Sequence, residues 1–160
     1  MKKMLFLMLA LFVGISASAQ TLPDVKLENL EGKVVSTKDL ADGTPMIISF
    51  WSTTCKPCIM ELNAINESLY EWTEEVDMKV VAISVDDART VSRARAMTSG
   101  QGWDDFVCLF DKNQDFKRAM NVSLTPHTFI VDGDGTIVYS HSGYTPGSEQ
   151  ELFEKIKSLK

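Results

Sequence analysis

The sequence predicts an α/β domain in which helices cover both faces of a mixed β-sheet. Short apolar runs typical of buried strands alternate with segments whose apolar residues recur every three or four positions, as in amphipathic helices. Strand and helix alternate three times, and a hairpin and a closing helix follow. Such alternation forms parallel strand pairs, whereas a hairpin adds an antiparallel pair, so the sheet is expected to be mixed.

The first 19 residues are interpreted as a signal peptide. Two lysines precede an apolar run at residues 4–15, and Ala17 and Ala19 then form the A-x-A pattern at which such peptides are cleaved. The run has about 12 residues, fewer than the roughly 20 that span a bilayer, and a retained anchor is the alternative. The mature chain is therefore expected to begin at Gln20 and to be exported, to the periplasm or another extracytoplasmic compartment.

Residues 20–160 have the length of one ordinary domain, and no linker, repeat or low-complexity tract divides them. The whole chain carries 16 basic and 22 acidic residues, a net charge of −6. This acidic balance, without a basic patch, argues against binding to nucleic acid or to an anionic membrane surface. We expect a monomer that needs no cofactor.

The predicted elements follow from periodicity and from turn residues. Two short extended pieces, at residues 25–27 and 34–35, form an N-terminal extension. The predicted strands are 46–51, 78–85, 106–110, 128–131 and 136–139, and residues 132–135 give a strong hairpin signal between the last two. The predicted helices are 58–72, 87–97, 115–120 and 148–159. In the second helix Ala88 and Ala94 are expected to share one side; in the last, Ser148 is the cap and Leu159 faces inward.

Cys55 and Cys58 lie between strand 46–51 and the helix that follows. A disulfide closing so small a loop constrains the unfolded chain little, which favours a reactive pair over a structural one. Cys55 would lie at the helix N-terminus, where free N–H groups and the helix dipole favour an anion. Such positions lower the pKa of a thiol from about 8.5 towards neutrality. Cys55 is thus predicted to be the nucleophile and Cys58, one turn later, the resolving thiol.

A metal site is the alternative for this cysteine pair. A zinc site usually needs a second C-x-x-C or two suitably spaced histidines, and the chain has only His127 and His141. A copper site of two cysteines and one histidine stays open, which would make the protein a metal-binding or copper-delivery module.

Glu61 and Pro126 are further candidates. Glu61 follows Cys58 by three residues, and a partly buried carboxylate there would have a raised pKa and could accept the proton that leaves Cys58. A solvated surface glutamate is the alternative. Thr125-Pro126 precedes strand 128–131, where a cis peptide is possible, although a trans turn proline is favoured by the residues alone.

The motifs together resemble the TlpA/ResA-like thiol–disulfide oxidoreductases of the thioredoxin superfamily. The segments that carry the resemblance are Phe50-Trp51, Cys55-Lys56-Pro57-Cys58 with Glu61, and residues 125–132 with their Gly-rich hairpin. It extends from about Leu22 to the C-terminus. It implies a thioredoxin fold with an N-terminal extension.

The resemblance also implies roles for individual residues. Pro126 would be a cis-proline facing the disulfide, the backbone of Thr125 would pair with an extended substrate segment, and Glu61 would be the acid–base group. The residues expected to form the substrate-binding groove are Trp51, Lys56, Pro57, Thr125 and Pro126. Members of this family are extracytoplasmic and usually reductive, and some serve cytochrome c maturation. The implied partners are exported proteins with disulfides and a membrane thiol-electron donor.

Two residues depart from the family pattern. Thr54 stands where many relatives carry a second Trp, and Ser49 stands where thioredoxin has a buried Asp and many TlpA-like proteins have Asn. Because Ser49 cannot accept a proton as Asp can, that role would fall to Glu61 or water. The Lys56-Pro57 dipeptide leaves the redox direction open.

A thiol peroxidase is the alternative enzyme, since the N-terminal extension resembles that of peroxiredoxin-like relatives. Their motif, P-x-x-x-T-x-x-C, is matched only in part, because Ser52 occupies the Thr place and Ile48 the Pro place. The third cysteine, Cys108, lies in an apolar run and is expected in the core.

Overall fold

The computed structural model describes residues 20–159. The predicted signal peptide, residues 1–19, lies outside the described residues. Across the described range, the structure has no helix that combines the length and the apolar character needed to cross a membrane.

A seven-stranded mixed sheet forms the centre of the domain. The strands are β1 (Lys26–Asn29), β2 (Val34–Ser36), β3 (Met46–Trp51), β4 (Lys79–Ser84), β5 (Val107–Phe110), β6 (His127–Val131) and β7 (Ile137–Ser142). Their order is β2-β1-β5-β4-β3-β6-β7. The β3/β4 and β4/β5 pairs are parallel, and the remaining pairs are antiparallel. The predicted mixed sheet and hairpin are confirmed, and the N-terminal extension is a second hairpin that pairs with β5.

The sheet separates two apolar layers. Strand β3 contributes to both, because its side chains alternate between the two faces of the sheet. Ile47 and Trp51 join the core on the side of the first and last helices. Ile48 and Phe50 point to the other side, where they pack with Phe116. The helices are α1 (Lys56–Glu75), α2 (Val91–Gly100), α3 (Asp115–Ala119) and α4 (Glu149–Lys157), with a 3₁₀ turn at Thr37–Leu40.

The predicted bounds of α2 were wrong. Helix α2 begins at Val91 and not at residue 87, and Ala88 is exposed. The reason is a local turn, because the Asp87 carboxylate accepts hydrogen bonds from the N–H groups of Arg89 and Thr90. The helix also runs three residues beyond the predicted end at residue 97 and stops at Gly100.

The predicted end of α4 was also wrong. The helix stops at Lys157, and Leu159 is exposed. Ser148 occupies the N-cap position but its side chain makes no capping hydrogen bond. The apolar stripe of the helix is nevertheless confirmed, since Leu152, Phe153 and Ile156 are buried.

Candidate active site

Cys55 and Cys58 form a disulfide at the N-terminus of α1. Cys55 is the N-cap residue, with extended backbone (φ −92°, ψ 91°), and its carbonyl accepts the first hydrogen bond of the helix from the Ile59 N–H at 3.2 Å. Pro57 lies in the first turn, where its missing N–H costs no hydrogen bond. The Cys55 side chain is partly exposed whereas Cys58 is fully buried. One sulfur can therefore meet a partner from solution, and the other can be reached only through the first.

Glu61 lies one turn further along α1 and is fully buried, more deeply than predicted. Its Oε2 accepts hydrogen bonds from Ser49 Oγ at 3.0 Å and from Thr128 Oγ1 at 2.8 Å. Its Oε1 lies 3.1 Å from Nε2 of His141. Burial of a carboxylate is costly unless it is hydrogen-bonded, and these contacts supply the partners.

Three strands present these partners in one row. Ser49 on β3 is opposite Thr128 on β6, and Thr128 is opposite His141 on β7. Directly opposed side chains of antiparallel strands lie on the same face, about 5 Å apart. The row therefore crosses the face of the sheet on which α1 packs, and Glu61 reaches down to it from the helix.

A second buried carboxylate, Asp86, holds the loop that leads to Cys55. It follows β4 and accepts hydrogen bonds from the N–H and the hydroxyl of Thr53, at 2.9 and 2.7 Å. Ser84 Oγ donates a third bond at 3.0 Å. These bonds fix the turn between β3 and α1, and with it the position of the first cysteine.

Trp51 is buried in the core cluster that contains Cys58 and does not lie at the surface. Its indole is 1% exposed and meets Trp103 edge to face at a centroid distance of 5.0 Å. Trp103 in turn donates a hydrogen bond to Asn63 of α1 at 2.8 Å. Any effect of Trp51 on substrate binding would therefore be made through the residues that it supports.

The remaining predicted groove residues lie at different depths. Lys56 and Pro57 are exposed, Thr125 is partly exposed and Pro126 is buried. The Thr125–Pro126 peptide bond is cis, as the resemblance implies. The Pro126 carbonyl accepts a hydrogen bond from the Gly143 N–H at 2.8 Å, which joins the loop before β6 to the end of β7.

Sequence reasoning assigned no role to Asp86 or Thr128 and considered His141 only as a possible metal ligand; in the structure Asp86 holds Thr53, and the other two contact Glu61. The available signal was weak, since Thr128 begins the predicted strand 128–131 whereas His141 lies beyond the predicted strand 136–139, and only the observed β7 extends to Ser142. Strand positions alone do not give the pairing register, without which neither residue can be assigned to Glu61. Cys108, by contrast, is buried as predicted.

The described part of the chain contains no group of three or more His, Cys, Asp or Glu side chains arranged to hold a metal ion. His141 is engaged by Glu61, and His127 Nδ1 lies 3.0 Å from Ser142 Oγ.

The chain is similar to known proteins that can be compared with it over most of its length. The model of the AhpC/TSA family matches residues 19–140, which is most of the chain. The chain belongs to the AhpC/TSA family. Within this family, the resemblance to TlpA/ResA-like proteins is confirmed by curated relatives. The chain is 32% identical over 123 residues to the thiol:disulfide interchange protein DsbE of Yersinia pestis. It is 31% identical over 116 residues to the thiol–disulfide oxidoreductase ResA of Bacillus thuringiensis.

These two matches cover 76% and 72% of this chain, and 62% and 64% of the respective relatives. The matched region therefore spans less than two thirds of their length. Among solved structures, an uncharacterized thioredoxin-like protein from Porphyromonas gingivalis is 50% identical, with a TM-score of 0.77. That match covers 86% of this chain and 90% of the other. The thioredoxin fold predicted for this AhpC/TSA family member is thus confirmed.

Proposed function

We propose that the protein is an extracytoplasmic thiol–disulfide oxidoreductase that reduces disulfides in exported proteins. The observation that carries this proposal is the unequal exposure of a bonded cysteine pair at a helix N-terminus. Cys55 is accessible, Cys58 is fully buried, and a buried carboxylate lies one turn below. Free N–H groups at the start of α1 favour a thiolate on Cys55, and the thiolate is the nucleophile in disulfide exchange.

The reaction begins from the dithiol form. The Cys55 thiolate attacks one sulfur of a substrate disulfide, which forms a mixed disulfide and releases the other substrate sulfur as a thiolate. Cys58 then gives its proton to Glu61 and attacks Cys55, so that the mixed disulfide breaks and the second substrate thiolate leaves. Two electrons have passed to the substrate, and Cys55–Cys58 is oxidised. The reverse sequence would oxidise a substrate.

Exposed groups around Cys55 would bind the substrate. Lys56 and Pro57 are exposed at the start of α1, and Thr125 is partly exposed beside the cis peptide bond. We propose that the backbone of Thr125 pairs with an extended substrate segment, while buried Pro126 and Trp51 support the groove from below.

The names of the relatives support this assignment. Relatives called thiol:disulfide interchange protein and thiol–disulfide oxidoreductase match most of this chain. The lysines, apolar run and A-x-A pattern within residues 1–19 favour export. We propose that the mature protein is a monomer beginning near Gln20, that a membrane thiol-electron donor re-reduces it, and that substrates of cytochrome c maturation are among its targets.

Trapping with Cys58→Ser tests the proposal. Without the resolving thiol, the mixed disulfide at Cys55 persists and substrates remain attached under non-reducing conditions. Capture of apo-cytochrome c would support a role in maturation, and capture of many exported proteins would support general reduction. The matched control is the double variant Cys55→Ser/Cys58→Ser, which should trap nothing. If Cys58→Ser trapped nothing and retained peroxide turnover, the protein would be a thiol peroxidase and the proposal would be wrong.

A further inference from the structure

Among the described residues, one side chain of the buried cluster around Glu61 reaches solvent. Ser49, Glu61 and Thr128 each have 0% of their surface exposed. His141 is the fourth member of the cluster, and its side chain is 19% exposed. Of the four side chains in contact, only the imidazole can exchange a proton with water.

The two oxygens of Glu61 have different partners. Both hydroxyls bond to Oε2, and they lie 3.1 Å from each other. Oε1 is left for Nε2 of His141 at 3.1 Å. Oε2 has no route to solvent through its two hydroxyl partners, because neither Ser49 nor Thr128 is exposed. A proton that arrives on Glu61 therefore has an outlet only at Oε1 within the described structure.

We propose that His141 carries the proton of Glu61 to and from solvent when Cys58 resolves the mixed disulfide. This inference rests on the proposed function and adds a residue to it. When Cys58 gives its proton to Glu61, the carboxylic acid passes it to Nε2 of a neutral His141, and Nδ1 releases a proton to water. Glu61 is then ionised again. No electrons move in this step, and the proton from Cys58 reaches the solvent that supplies the substrate thiols.

Imidazole suits this role because its two nitrogens can take up a proton on one side and release one on the other. His141 contacts no reacting sulfur in this scheme, so it acts through Glu61 as a positioning residue for the proton. Other titratable groups near the Glu61–His141 pair are Tyr139, whose ring centroid lies 6.0 Å from that of His141, His127, and Tyr144, whose hydroxyl donates to Glu149. Burial, together with the nearby His141, lowers the pKa of His127, which favours the neutral form of this second histidine.

Two-phase reduction of 5,5′-dithiobis(2-nitrobenzoate) by the reduced protein separates the steps. Attack by Cys55 releases a first thionitrobenzoate, and resolution by Cys58 releases a second. In His141→Gln, an amide can still donate to Glu61 but cannot relay a proton. Since acid–base groups contribute 10²–10⁴-fold, we expect the second phase to slow about 10- to 100-fold and the first to stay within about twofold.

His127→Gln is the matched control, because His127 lies in the adjacent strand, has Nδ1 bonded to Ser142, and makes no hydrogen bond to Glu61 in the described part of the chain. It should leave both phases within about twofold of the wild type, well below the effect expected for a lost acid–base group. In His141→Ala, added imidazole should restore the second phase, but it should not do so in His141→Gln, where the amide fills the site. Lost packing alone would not produce that difference. Urea unfolding of each variant checks that the fold is intact.

The outcomes separate the two proposals. A wild-type second phase in His141→Gln, with a normal first phase, would overturn the relay and leave the oxidoreductase standing. A slow second phase in His141→Ala that imidazole does not restore would also overturn it. If the wild-type protein showed no first phase, the proposed function would fail, and the relay with it.

Discussion

Two carboxylates are buried beneath the redox-active turn, and their surroundings differ in one respect. Asp86 accepts hydrogen bonds from the backbone and hydroxyl of Thr53 and from Ser84. Glu61 accepts from Ser49 and Thr128 but also contacts His141. Both acids are satisfied, yet only Glu61 has a titratable partner that reaches solvent.

On the proposed relay, the two buried acids serve different purposes. The partners of Asp86 are groups that do not gain or lose protons near neutral pH, so its bonds fix the loop that carries Cys55. Glu61 is fixed on one oxygen and connected to an imidazole on the other. Burial and hydrogen-bond count alone do not distinguish an anchor from a proton carrier, whereas the chemistry of the partners does.

The largest expected effect comes from removing Glu61, the proposed proton acceptor. Glu61→Gln keeps the size of the side chain but cannot take up the proton of Cys58. We expect the second phase of thionitrobenzoate release to slow about 100-fold, the lower end of general acid–base contributions. Asp86→Asn is the matched change at the other acid and should slow that phase by less than about threefold, because no proton passes through Asp86. Equal slowing in the two variants would show that Glu61 has no special role in the resolving step.

The next effect is on stability and concerns the anchor. Asp86→Ala would leave the Thr53 N–H and two hydroxyls without their acceptor in a buried site. We expect the free energy of unfolding to fall by about 3 kcal/mol, since bonds to charged groups contribute about 1.5–3 kcal/mol each and partial relaxation recovers some of the loss. Urea denaturation measures it. Asp86→Asn, which keeps one acceptor oxygen for Thr53, should lose less, and an equal loss would show that the carboxylate is not the anchor.

The smallest effect concerns Cys108, a buried free thiol. Burial raises the pKa of its thiol from 9.0 to about 12, and the Asp104 carboxylate adds to the shift. The folded state therefore keeps a proton that the unfolded state loses, so this contribution is complete below about pH 9 and is lost as pH rises towards 12. In oxidised protein, where the other cysteines do not titrate, we expect a loss of about 1 kcal/mol between pH 8 and 10.

Cys108→Ala is the control for that measurement. Urea denaturation at both pH values should show a smaller pH-dependent loss in the variant than in the wild type. Equal losses would mean that Cys108 does not resist ionisation in the folded protein.

Much of this molecule follows from local pattern. Apolar runs and turn residues predicted a strand or extended piece at each of the seven strands, although β7 continues three residues past the predicted end, to Ser142. The three- and four-residue spacing from Cys58 to Trp72 predicted the buried face of α1. The start of α2 was misplaced because the Asp87 turn competes locally with the helix. Leu159 was misplaced because apolar periodicity does not mark where a short helix ends.

The cluster around Glu61 could not be predicted from local sequence pattern. Glu61, Ser49 and the histidines are all visible in the sequence, and Ser49 was interpreted only as the loss of a proton acceptor. In the structure, Ser49 is a donor to Glu61. Nothing within a few residues of His141 indicates that it meets a glutamate 80 positions earlier in the chain.

The sequence by itself determined the alternation of strands and helices, the position of Cys55 at a helix start and the burial of Cys58, because each depends on neighbours within one or two turns of chain. The tertiary structure decided the rest. Register across β3, β6 and β7 brought Ser49, Thr128 and His141 together beneath Glu61. A strand's pattern shows which face a side chain occupies, but only pairing with other strands determines what lies beside it.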